Sequence, residues 1–138
     1  MSYSTFKVEL DNYLAANWSS TPIYDPANTP IDPPDYDPWI AYRPVVLTDE
    51  VQSISEGPHC ILGTYGIEFS VFIGSAEGQA QAITLTEELK ALFVGKRIGS
   101  NIEFLTVDTE FGVKASDESS GKWYQSIVFV SAEYRYFI

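Results

Sequence analysis

A chain of 138 residues that is 45% apolar is long enough for one domain with a sizeable core, and a formal net charge of -11 leaves no cluster of cations to grip nucleic acid by its phosphates. Its single cysteine, Cys60, excludes an intramolecular disulfide and suits a reducing compartment. The first residues lack the charged-then-apolar layout of a secretory signal, and no apolar run approaches the ~20 residues that span a bilayer.

Tyr3, Phe6, Leu10, Tyr13, Leu14 and Trp18 recur at helical spacing, with Lys7, Glu9, Asp11 and Asn12 turned outward. That pattern predicts an amphipathic helix over residues 4–17, capped by Ser2 or Ser4. Residues 18–22 read as a stop and turn, and Ile23-Tyr24 as a short strand. From Asp25 to Pro38 five prolines stand among aspartates, a density that fixes an extended, solvated path and forbids a helix. This is a long surface loop within the single domain of residues 1–138.

Residues 39–47 form the next predicted strand. Pro44 cannot donate to a ladder, so this strand lies at an edge or bulges there. Residues 48–58 read as a polar connection, and Cys60 to Ile73 as a long strand in which Gly63 and Gly66 mark a bulge or a sharp bend. The two strands make a long hairpin. Ser75 suits an N-cap, and Ala76, Ala80, Ile83, Leu85, Leu89, Leu92 and Phe93 supply a helical face that Gly95 stops in the left-handed conformation. Residues 102–107 and 111–115 are shorter strands, and residues 117–121 a turn.

The last stretch alternates with a period of two. Tyr124, Val128, Val130, Ala132, Tyr134 and Tyr136 share one face, while Ile127 and Phe129 lead Ser131, Glu133 and Arg135 on the other. A strand that is apolar on both faces at its middle belongs in a sheet interior. The order helix, strands, helix, strands gives an α+β fold: one mixed or antiparallel β-sheet of about four or five strands, with two helices packed on it and a long hairpin.

No residue pattern points to catalysis. His59 and Cys60 are adjacent, and strand neighbours face opposite ways, so they do not share a metal or make a nucleophile–base pair. Asp32, Asp35 and Asp37 alternate, but lack the glycine and the distal glutamate of a calcium loop. Gly95-Lys-Arg-Ile-Gly99 follows a helix instead of preceding one, which is a helix stop and not a phosphate loop. Glu87-Glu88, or Glu103 with Asp108, are acids without a partnered base. The expectation is a protein that is not an enzyme and holds no metal or cofactor. Its carboxylates gather in loops (Asp25, Asp32, Asp35 and Asp37, then Asp49, Glu50 and Glu56), which serves solubility or repels DNA passing nearby. From a different class, an acidic inhibitor that mimics DNA would array its acids along one surface at phosphate-like spacing instead.

The layout resembles the tail-terminator family of long-tailed phages, the group that includes the lambda tail-terminating protein. The resemblance runs over nearly the whole chain. It begins with the opening helix ending in Leu14-Ala-Ala-Asn-Trp18 and followed by Thr21-Pro22-Ile23. It continues through Phe69-Ser-Val-Phe-Ile-Gly74 into an alanine-rich helix closed by Gly95-Lys-Arg-Ile98, and finishes with Gly121-Lys-Trp-Tyr-Gln125 opening a strand that ends in Tyr134-Arg-Tyr136. The loop of residues 25–38 is longer than that family's pattern.

Such a resemblance implies a ring, usually a homohexamer, that caps the finished tail tube, halts further tube subunits and offers the joint to the head connector. It implies no catalytic residue and no cofactor. The partners it implies are further copies of the chain, the tail tube protein and a head-completion or neck protein, with DNA crossing the lumen unbound and no membrane. The implied place is the tail or neck of the virion, after assembly in the host cytoplasm. Candidate contact residues are Asp49, Glu50, Gln52 and Glu56 on the hairpin loop, and Asp35, Tyr36 and Trp39 at the proline loop. Another component of the head–tail neck is the neighbouring reading.

Overall fold

Long strands rich in β-branched and aromatic residues dominate the chain because their alternation leaves one apolar face that two helices can cover. The computed structural model describes residues 2–24, 38–52, 59–74, 79–99, 101–114 and 123–137. In chain order the elements are α1 (Ser2–Asn17), β1 (Ile23–Tyr24), β2 (Trp39–Val51), β3 (Cys60–Gly74), α2 (Gln79–Ala91), β4 (Arg97–Ile98), β5 (Ile102–Lys114) and β6 (Trp123–Phe137). They build one sheet in the order β1-β2-β3-β6-β5-β4. The α+β architecture is the one the sequence predicts. Four long strands carry the sheet, and a two-residue strand flanks them on each side.

Among the described strands only β1 and β2 run parallel; β2–β3, β3–β6, β6–β5 and β5–β4 are antiparallel. The last strand, β6, lies inside the sheet between β3 and β5, where its two apolar faces belong. Val128, Val130, Ala132 and Tyr134 are buried on the covered face, against Ile67, Phe69, Val71 and Ile73 of β3. Helix α1 adds Phe6, Leu10 and Leu14 to this core, and α2 adds Ala82, Leu85 and Leu89, with Phe93 just beyond its end. Tyr13 ties the helices together by donating from its hydroxyl to the Leu92 carbonyl at 2.6 Å. Gly95 takes φ 68°, the left-handed stop that the sequence predicts.

Four local expectations are corrected. Residues 48–51 belong to β2 instead of a connection, because their backbone pairs with residues 61–64 of β3. The two short strands predicted after α2 are one strand, β5, interrupted by register shifts between Phe104 and Thr106 and between Glu110 and Val113. Gly63 and Gly66 do not bulge, since β3 pairs with β6 without a break from Cys60 to Gly74. They make room for rings: a methyl on Gly63 would stand 2.6 Å from the Tyr65 ring, and one on Gly66 2.6 Å from that of Phe129. Finally, Ile83 is exposed and the buried stripe of α2 runs through Ala82, Leu85, Thr86 and Leu89.

Candidate assembly interface

The sheet has two long edges with no described strand beyond them. On one side β1 covers β2 only at Ile40 and Ala41, and the Ile40 amide donates to the Pro22 carbonyl at 3.0 Å. Past that point, residues 42–51 of β2 have no described strand outside them. On the other side β4 covers β5 at Ile102 and Glu103, and the Phe104 amide donates to the Lys96 carbonyl at 3.2 Å. Residues 105–114 of β5 then have none. An edge of this length presents a row of backbone donors and acceptors that another chain can pair with.

Both edge strands carry bulges, which the sequence offers as one alternative for β2 and does not suggest for β5. Val45 is the extra residue on β2, next to Pro44, whose missing N–H predicts an edge or a bulge, and β2 has both. Leu105 is the extra residue on β5. Val45, Leu47 and Val51 stand exposed along β2, and Leu105 and Phe111 along β5. Nothing in the local sequence distinguishes Leu105 from a buried leucine, which is why this edge is not legible before the strand pairing is known.

The predicted contact residues fall into three groups. Asp49, Glu50 and Gln52 lie exposed at the far end of the β2–β3 hairpin. Asp49 accepts from the Tyr65 hydroxyl at 2.9 Å, and the Gln52 amide donates to the Cys60 carbonyl at 2.8 Å, so the hairpin end is tied as well as charged. Trp39 is buried within the chain and stacks on Phe72 with ring centroids 4.2 Å apart. Asp35, Tyr36 and Glu56 lie outside the described residues.

Both described helices pack on one face of the sheet, so the opposite face presents a set of rows. One row runs Arg43, Glu68, Phe129 and Asp108 across β2, β3, β6 and β5. Another runs Thr48, Thr64, Glu133, Glu103 and Arg97. Arg43 reaches Glu68 at 3.4 Å and Arg97 reaches Glu103 at 2.8 Å. Pairs this exposed contribute at most about 1 kcal/mol each. A shallow cleft of about 150 Å³ lies among Arg97, Asn101, Glu103, Glu133 and Arg135, with two guanidinium groups offsetting two carboxylates. Cations thus interrupt the acids along this face, unlike the continuous line of charge that imitates a nucleic-acid backbone. Glu87 and Glu88 are exposed on α2, and Glu88 accepts from the Ser20 hydroxyl at 2.5 Å. Among the described residues, no three His, Cys, Asp or Glu side chains gather as metal ligands would.

No family model matches the chain, and no curated protein matches it in sequence. A solved structure whose name carries no functional description superposes with a TM-score of 0.65 at 13% identity, covering 99% of this chain and 94% of that one. At that identity the likeness speaks for the fold alone.

Proposed function

We propose that the chain is a structural ring protein of a phage tail, a terminator that caps the tail tube and forms the joint to the head. One observation carries the reading: a single sheet bears two long, unlike edges on opposite sides, both without a described strand beyond them. Unlike edges join head to tail, and a head-to-tail contact that rotates the next copy closes into a ring. The order of sequence features that resembles the tail terminators supports the same reading. So does the acidic balance, because a passage that DNA must cross should not hold it.

In this reading geometry does the work, and no bond is made or broken. The hairpin end with Asp49, Glu50 and Gln52 meets the tube or the neck protein, whereas the sheet edges meet further copies of the chain. Solution mass combined with negative-stain imaging tests it, with rings around an open centre as the expected result. Tails of uniform length that join filled heads in particles lacking this polypeptide would end the proposal.

A further inference from the structure

The two edges with no described strand beyond them match each other in a way that the sheet itself does not require. Inner strand β3 has two residues between Tyr65 and Glu68, and inner strand β6 has two between Phe129 and Ala132. At the same height β2 has three residues between Arg43 and Leu47, and β5 has three between Phe104 and Asp108. Each outer strand therefore carries one more residue than the inner strand it pairs with, in the same stretch. Laid against each other, the outer strands agree residue for residue over the stretch that β1 and β4 leave open, residues 42–46 of β2 and 105–109 of β5.

Strand direction agrees as well. β2, β3, β6 and β5 alternate strictly, and four is an even number. A second copy set beside the first by rotation about an axis along the strands brings its β2 antiparallel to β5, with no break in the alternation. Following the register across the sheet, Arg43 stands level with Glu68, Glu68 with Phe129 and Phe129 with Asp108. Leu47 is likewise level with Phe104, by way of Tyr65 and Ala132.

We infer that β5 of one copy pairs antiparallel with β2 of the next in the register that sets Asp108 opposite Arg43. This rests on the head-to-tail association proposed above and adds the strands, the register and the residues of the joint. Charge and the paired bulges together select this register over its neighbours. Asp108 meets the exposed Arg43 guanidinium, which already leans on Glu68, and the two bulges lie side by side, with Val45 opposite Thr106 and Val46 opposite Leu105. A slide of two residues one way brings Glu110 to Arg43 but sets Val45 opposite Asp108 and Leu105 opposite Thr48, so the two bulges no longer lie side by side. The opposite slide leaves Arg43 against Thr106, without a carboxylate. A slide of one residue turns every side chain to the wrong face.

Disulfide trapping reads the register directly. Directly opposed strand residues have Cβ atoms about 4.5–5.5 Å apart and diagonal ones about 7–8 Å, so only the former come within disulfide reach. In a Cys60→Ala background, Arg43→Cys protein is mixed with Asp108→Cys, Thr106→Cys or Glu110→Cys protein and oxidised mildly. The expected result is a disulfide-linked heterodimer with Asp108→Cys only, and none in any single-variant sample. All four positions lie on the uncovered face at or beside the edges, and circular dichroism of each variant confirms that it is folded before mixing. Trapping at Thr106 or Glu110 instead, or none at all among folded variants, overturns the joint. If imaging shows rings while trapping fails, the ring reading stands and this joint falls. If Asp108 traps but the product is an open filament, the joint stands and the tail-ring reading falls.

Discussion

At the scale of single residues, two glycines and one tyrosine show how the packing is set. Gly63 lies under the ring of Tyr65, which is fully buried and tied through its hydroxyl to Asp49. A methyl there has nowhere to go, because its nearest neighbour is fixed at both ends. Gly63→Ala should therefore cost about 1–3 kcal/mol in urea unfolding, the range for an overfilled core. Gly66→Ala should cost less, because the ring it meets belongs to half-buried Phe129, which has room to swing. Tyr13 gives a pH-dependent counterpart. Burial raises its phenol above the ordinary 10.0, so the folded chain keeps this proton at a pH where the unfolded chain releases it. The contribution is present in full below the unfolded value and is lost as pH climbs through the folded one. Tyr13→Phe should cost about 0.5–1.5 kcal/mol at neutral pH, the worth of a buried hydrogen bond. The gap between variant and parent should then narrow in unfolding curves taken above pH 10, the ordinary phenol value.

At the scale of elements, the helices are held by what they bury on the sheet and less by their own polar contacts. Phe93, just past α2, is fully buried and packs on Tyr13, Phe69 and Phe104, edge-on to the last at 4.8 Å. It thereby joins α1, α2, β3 and β5. Phe93→Ala should cost about 3–5 kcal/mol and broaden thermal unfolding, because no neighbour belonging to one element can fill the gap. This residue was legible in the sequence, as were the stripe of α1 and the buried face of β6, since each repeats its period over three or more turns or pleats. What stayed hidden has a common cause. The extension of β2 through residues 48–51 consists of Thr, Asp, Glu and Val, which alternate no apolar face and declare a strand only through pairing with β3. The continuity of β5 is masked by its bulges, because an extra residue shifts the two-residue period midway and makes one strand read as two. Of the contact candidates, charge singled out Asp49 and Glu50, but Arg43 and Asp108 became visible only once four strands were aligned. Height across a sheet is a property that no single segment carries.

At the scale of the whole molecule, unlike edges make a prediction about number that a like-to-like contact does not. Arg43→Glu sets a carboxylate against Asp108 of the next copy, and Asp108→Arg sets two guanidinium groups face to face. Each replaces an attractive pair by a repulsive one, at roughly 1 kcal/mol or more per joint, which is about a fivefold loss or more in each association step. Because every joint in a ring carries the same pair, either variant alone should fall apart to small species on a sizing column. Mixed in equal parts, the two variants restore both kinds of contact. The unaltered Asp108 of the first meets the unaltered Arg43 of the second, and at the next joint the two substituted residues meet with opposite charge. The mixture must then alternate strictly, and strict alternation closes a circle only when the number of copies is even. A ring of six admits three of each variant, whereas a ring of odd count would leave one repulsive joint and stay open. Native mass spectrometry with one variant isotope-labelled separates these cases, and a closed species of three and three is the expected result. A closed species of unequal composition would mean that Arg43 and Asp108 do not face each other across the joint.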